Sequence, residues 1–224
     1  MSNNQFRCLI ILTMLYIGLG FSSVLVVYRP VLLGSTIASA GSLVSSLWFV
    51  LSDIIAELYG YKASKNMLYA MFLVCFACAC LLFLLIHLPS PESWHGQSAY
   101  QAILAPLPKI LASSFVGFLI SGFVNIRLLT QWKIMLHGRY FWLRSFGAST
   151  LGEVIFTGIA SFFILYGTAL QGELISVICW GVVLKMAVNI ILVFPASILV
   201  SLLKKTNFAD VFEIKNYPNP FIKK

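Results

Sequence analysis

With 224 residues, 60% of them hydrophobic and 10% charged, the chain is far from an ordinary soluble domain, where about a quarter of residues carry charge. A mean hydropathy of +0.94 marks an integral membrane protein of a size for one compact bundle. The formal charge of +8 is therefore read against membrane topology before any nucleic acid.

The first apolar run, about 8–28, follows Arg7 as a signal peptide would. It is long enough to span and lacks an A-x-A-like cleavage site, so a retained helix is expected. Further spans are drawn at about 37–59, 66–88, 108–131, 143–167 and 174–203, each of roughly twenty residues or more. Turn signals separate them: "YRPVLLGS", "GYKASK", a loop over about 89–107 holding three of the eight prolines, "KIMLHGRYF" and "GTALQGE". The expected fold is all-α, a polytopic membrane protein with six transmembrane helices over 1–204 and a short polar cytoplasmic tail over 205–224. Six spans divide as three plus three, the arithmetic of an inverted repeat.

Placing the N-terminus in the cytoplasm puts 12 of the 15 lysines and arginines on that side, five of them from Lys204 onward. Only Arg29 and Lys109 fall outside, and Lys185 lies within a span. The positive-inside rule then predicts a multi-pass protein of the cytoplasmic (inner) membrane with both termini cytoplasmic.

Ionisable groups inside spans are costly and face a polar interior or a partner. Glu153 lies roughly 15 Å from the cytoplasmic start of the fifth span, near the midplane, and Lys185 has similar depth in the sixth. They can form a structural ion pair or jointly line a wet substrate pocket. Asp53 lies roughly 10 Å inside the cytoplasmic border of the second span, with Glu57 one turn nearer that border on the same face. Glu57 with Lys62 and Lys65 reads either as an interfacial charge cluster or as part of a gate. Other polar residues occupy the same apolar runs: Arg144, Ser149 and Thr150 in "RSFGASTLGEVIF", where Gly147 and Gly152 permit close helix approach; Asn189, four residues after Lys185; Asn125, Arg127 and Gln131 in "GFVNIRLLTQW"; and Ser42, Ser45, Ser46 and Trp48 before Asp53.

The five cysteines (8, 75, 78, 80 and 179) stand in apolar runs and are odd in number, which argues against a disulfide framework. "CFACAC" has no histidine or acid beside it, and His87, His95 and His137 fall on opposite sides of the membrane in this topology. The chain contains no HExxH, GxSxG, Walker A or GxGxxG motif. No enzyme activity, metal or cofactor is expected.

"SDIIAELYGYKASK" resembles the D-x-x-x-E-x-Y-G signature of the vitamin-uptake-transporter family, also described as queuosine-precursor transporters. "RSFGASTLGE" is similar to that family's R-x-x-x-S-T-x-x-G-E/Q segment, and "LKMAVNIILVFPASILVSLLKK" to its last helix. Two positions depart from the pattern: Phe156 stands where the family often has aspartate, and Ala148-Ser149 stand where Ser-Thr is usual. The resemblance implies import of a 7-deazaguanine: 7-cyano-7-deazaguanine, its aminomethyl form or queuine. Glu153 first and Asp53 second would accept the donors of the guanine edge; Asn125, Asn189 or Lys185 would meet the ring carbonyl; Trp48 or Phe156 would stack on its face. Glu57, Arg144, Ser149, Thr150 and Arg127 would serve structure or gating. The partners expected are the small-molecule cargo, the lipid bilayer and a second copy in a homodimer, with no nucleic acid. The alternative is the substrate-binding subunit of an ATP-driven vitamin importer, although the first helix lacks the Ala-x-x-x-Ala pattern through which such subunits dock.

Overall fold

The computed structural model describes residues 3–33, 36–91, 93–165 and 174–205. The expected tail, from residue 206 on, and the "GTALQGE" turn after the fifth span lie outside the described residues. The elements in chain order are α1 (Asn3–Leu25), β1 (Pro30–Leu33), β2 (Thr36–Ser39), α2 (Ala40–Leu85), α3 (Gln97–Leu104), α4 (Leu107–Met135), α5 (Phe141–Leu165) and α6 (Leu174–Lys205). Five helical stretches among the described residues are long and apolar enough to cross a bilayer: Asn3–Leu25, Ala40–Leu85, Gln97–Met135, Phe141–Phe163 and Ile178–Lys205.

The expected second and third spans are thus carried by one 46-residue helix, α2. Straight, it would be roughly 69 Å long, more than twice the hydrocarbon thickness of a bilayer. It is not straight. Gly60 leaves helical geometry at φ 83° and ψ 178°, a backbone conformation that glycine adopts without a Cβ clash. Contacts with α1 show the consequence. The Tyr59 hydroxyl donates to the Gln5 carbonyl at 2.9 Å, while Gly41 lies against Ser23 and Val27 at the other end of α1. The first arm of α2 therefore runs antiparallel to α1. Beyond Gly60, Met67 receives the Thr13 hydroxyl at 3.6 Å and Met71 packs on Gly20, so the second arm runs back parallel to α1. The "GYKASK" turn signal is a one-residue break after which helix resumes, with the Ser64 hydroxyl returning to the Gly60 carbonyl at 3.1 Å.

The all-α expectation also misses a short hairpin. "YRPVLLGS" forms β1, which pairs antiparallel with β2 in the register Pro30↔Ser39 and Leu32↔Ile37. Ser39 then caps α2: its hydroxyl donates to the Val27 carbonyl and accepts the Gly41 N–H at 3.2 Å. The loop expected over 89–107 carries α3.

The first arm of α2 is the hub of the bundle. From Ser45 to Leu58 only Leu47 and Leu51 are not buried, because α1, α4, α5 and α6 all pack on α2. Burial on every side explains why its sequence shows no amphipathic stripe. Along this arm α4 runs parallel, as the pairs Asp53–Asn125 and Glu57–Lys133 show, and α5 antiparallel, as Asp53–Ser149 and Glu57–Arg144 show. Gly147 admits the Trp132 ring, and Gly152 lets Asn125 and Phe49 approach; a methyl group there would lie 2.7 Å from Trp132 and 3.1 Å from both Asn125 and Phe49. The close approach expected of these two glycines is present.

Candidate functional site

Polar side chains stack along the hub in successive turns. At the hairpin end of the bundle a cavity opens between α1, both arms of α2 and α4. Ser23, Ser42, Ser45 and Ser114 line its walls, and Trp48, Phe118, Phe156 and Lys185 line its deeper part. Including its mouth it measures about 670 Å³. Trp48 stacks on Phe49 at 4.1 Å and meets Phe118 and Phe156 at 5.6 and 6.3 Å. One face of Trp48 is thus already covered. Lys185, buried, donates to the Thr157 hydroxyl at 3.0 Å and lies 5.0 Å over the Phe156 ring.

One turn below Phe156 on α5 stands Glu153, and one turn below Lys185 on α6 stands Asn189. Both are fully buried. Among the described residues, neither oxygen of Glu153 and neither amide atom of Asn189 has a hydrogen-bond partner. The neighbouring Ser46 hydroxyl is turned to the Ser42 carbonyl at 3.4 Å. The ion pair between Glu153 and Lys185, one of the two arrangements expected, is not formed: Lys185 is taken up by Thr157 and Phe156. Buried polar atoms are nearly always hydrogen-bonded, and an uncompensated carboxylate among helices is expensive. This cluster of orphans beneath an aromatic layer is the feature of the molecule that calls for a ligand.

A turn deeper, Asp53 is fully enclosed and fully partnered. Ser145 and Ser149 each donate to Oδ2 at 2.6 Å, and Asn125 Nδ2 donates to Oδ1 at 2.7 Å. Asn125 Oδ1 is left without a donor, as is the Thr150 hydroxyl.

The column ends in a charge cluster centred on Glu57. Arg144 clamps the carboxylate with two bonds of 2.8 and 3.1 Å, and Lys204 adds a third at 2.6 Å. Lys133 donates to the Glu57 main-chain carbonyl at 2.7 Å and stands 3.9 Å from the carboxylate. Arg144 also donates to the carbonyls of Arg139 and Gly138 at 3.0 and 3.3 Å. The α4–α5 turn, with His137, Gly138 and Tyr140 at positive φ, is thereby tied to the cluster. Four elements, α2, α4, α5 and α6, meet at one carboxylate.

The expected interfacial cluster is corrected here. Glu57 is fully buried and its partners are Arg144, Lys204 and Lys133, whereas Lys65 lies 5.9 Å over the Tyr61 ring. Bundle packing brings these three partners from other helices. Arg127 is exposed on α4, and no hydrogen bond or ion pair of its side chain is found among the described residues. Ser145, Thr157, Lys133 and Lys204 complete the column without having been singled out as site residues. Periodicity carried a signal for two of them. Asn125, Leu129 and Lys133 recur at four-residue spacing on α4, and the buried line Lys185, Asn189, Val193, Ala196 and Val200 leads along α6 to Lys204.

A sequence profile of the family described as "Putative vitamin uptake transporter" matches residues 39–200, from the cap of α2 almost to the end of α6. That stretch contains the whole polar column except Lys204. No curated protein and no solved structure matches the chain. With the match covering well over half of its length and five apolar helices long enough to cross a bilayer, the chain belongs to this vitamin-uptake-transporter family of multi-pass membrane proteins.

Proposed function

We propose that the protein imports a 7-deazaguanine precursor of queuosine (7-cyano-7-deazaguanine, its aminomethyl form or queuine) across the cytoplasmic membrane. The observation that carries this reading is Glu153: a buried carboxylate, both oxygens unpartnered, set beneath an aromatic-lined cavity. The guanine edge presents a ring N–H beside an exocyclic amine, and one carboxylate accepts both in a paired geometry. Trp48, Phe118 and Phe156, which line the cavity, supply the apolar flank that a planar heterocycle needs. Asn189 offers a donor for a ring carbonyl.

In this reading the two arms of α2 are separate crossings, giving six in all, and the charge distribution keeps both termini in the cytoplasm. The cavity then opens outward, and the Glu57 cluster closes the cytoplasmic end as a gate. Cargo descends past the aromatic layer to Glu153, the outer end closes, and the charge cluster parts. The test is uptake: the chain is expressed in cells unable to make queuosine, each precursor is supplied, and modified tRNA is scored. Rescue by at least one base is expected. No rescue by any of the three, with protein present in the membrane, would refute the cargo. Rescue that needs no ATPase partner separates a self-sufficient transporter from the subunit of an ATP-driven importer.

A further inference from the structure

Asp53 was one of two acids expected to touch cargo, yet it has no oxygen to spare. Its Oδ2 accepts two serine hydroxyls and its Oδ1 accepts Asn125 Nδ2. The Asn125 amide turns its nitrogen to Asp53 and therefore its oxygen away. That oxygen, Asn125 Oδ1, is buried and lacks a donor. A buried carbonyl oxygen in this state favours any ligand that brings an N–H or O–H to it. Asn125 also packs closely against α5. Gly152 lets α5 close onto Asn125, since an added methyl would lie 3.1 Å from the Asn125 Cβ. The next residue is Glu153, whose two oxygens are equally without donors.

We infer that Asp53 is a positioning residue: it holds Asn125 so that Oδ1 stands beside Glu153 as a third acceptor, and the site thereby selects ligands with three N–H or O–H donors. The ligand's identity rests on the reading above; the Asp53–Asn125 arrangement does not. A free 7-deazaguanine meets the requirement, with its ring N–H, its amine and its pyrrole N–H. Asp53 sets selectivity without touching the cargo.

The test exploits the polarity of the pair. In D53N the two serines keep the new side-chain oxygen, so the new amide nitrogen faces residue 125. Asn125 must then reverse and present its nitrogen to the site. In the swap D53N/N125D the carboxylate placed at position 125 accepts from the amide at position 53 and offers its second oxygen to the site. The acceptor is restored with the charge moved to another helix.

Two measurements on purified protein decide the matter. Without ligand, D53N lowers the thermal midpoint and the swap recovers most of the loss; a swap no more stable than D53N overturns the arrangement. With ligand, the probes are 7-cyano-7-deazaguanine, its analogue lacking the 2-amino group, and its N9-methyl derivative. D53N is expected to weaken the parent about tenfold or more, and the swap to return it to within about threefold of wild type. One analogue, the one missing the donor that Asn125 reads, should bind wild type and D53N equally. Equal weakening of all three probes would reduce Asp53 to a structural role and overturn the inference, as would an unchanged affinity of D53N for the parent. If wild type binds none of the probes, the deazaguanine reading fails while the ligand-free measurement still decides the arrangement.

Discussion

Two fully buried glutamates lie on this column, and their surroundings assign them opposite tasks. Glu57 is surrounded by three cations and satisfied, whereas neither oxygen of Glu153 accepts a hydrogen bond of ordinary geometry among the described residues, Ser46 being its nearest hydroxyl neighbour. Removing one partner of a buried ion pair leaves the others uncompensated, at about 3–5 kcal/mol. E57Q should therefore lower stability by that order, read as a falling thermal midpoint in detergent. E153Q removes an uncompensated charge while keeping the shape. Its stability should stay within about 1 kcal/mol of wild type or rise. Its uptake should fall by about tenfold or more, the equivalent of losing a charge-assisted hydrogen bond to cargo. If E153Q unfolds and transports in proportion to the protein remaining, Glu153 belongs to the scaffold. Both acids were visible in the sequence because a carboxylate in an apolar run is rare. Their difference was not, because it depends on Arg144, Lys133 and Lys204, which approach Glu57 from three other helices. The same applies to Asp53: an acid in an apolar run was visible, but the two serines and the asparagine that occupy it come from α5 and α4.

At the scale of elements, Gly60 carries the largest consequence. A single non-helical residue turns one long helix into two antiparallel arms, and every contact of the hub depends on that reversal. The backbone there, at φ 83° and ψ 178°, is open to glycine and strained by about 1–3 kcal/mol for other residues. G60A should lower the thermal midpoint and the yield of folded protein accordingly. Gly18 provides the matched control: a methyl group there meets no atom within 4 Å, so G18A should be neutral or gain up to about 1 kcal/mol from helix propensity. Equal losses in the two variants would show that Gly60 has no special part. The helices were legible from hydropathy because a bilayer demands about twenty apolar residues per crossing. The connections were less so. "GYKASK" and "YRPVLLGS" hold the residue types of irregular turns, but after Gly60 the serine, alanine and lysines continue a helix, and the residues after Tyr28 pair as strands. Local composition marks where a chain can turn and leaves the geometry of the turn to the packing on either side.

The whole molecule is polarised along the hub, with an open cavity at one end and four elements tied to one carboxylate at the other. Such an asymmetry is what one conformer of an alternating-access carrier requires, and in the proposed mechanism the cluster would act as an energetic counterweight to closure of the cavity. Lys204 is the bond of the proposed gate most easily removed, because its side chain is 23% exposed while that of Arg144 is fully enclosed. K204Q keeps the bidentate clamp, so the fold should persist and the equilibrium between the two openings should shift. A change of about 1.4 kcal/mol moves that ratio tenfold. The readout is a cysteine at Ser114, on the cavity wall, in a chain whose five native cysteines are replaced. A membrane-impermeant maleimide added to intact cells should label S114C, cargo should slow the labelling, and K204Q should slow it further by emptying the outward-open population. Labelling seen only after the membrane is permeabilised would place the cavity on the cytoplasmic side and invert the proposed orientation. Labelling of S114C that K204Q leaves unchanged, with the protein intact, would make the Glu57 cluster a fixed anchor, and the parting of the helices would have to be sought elsewhere along the column.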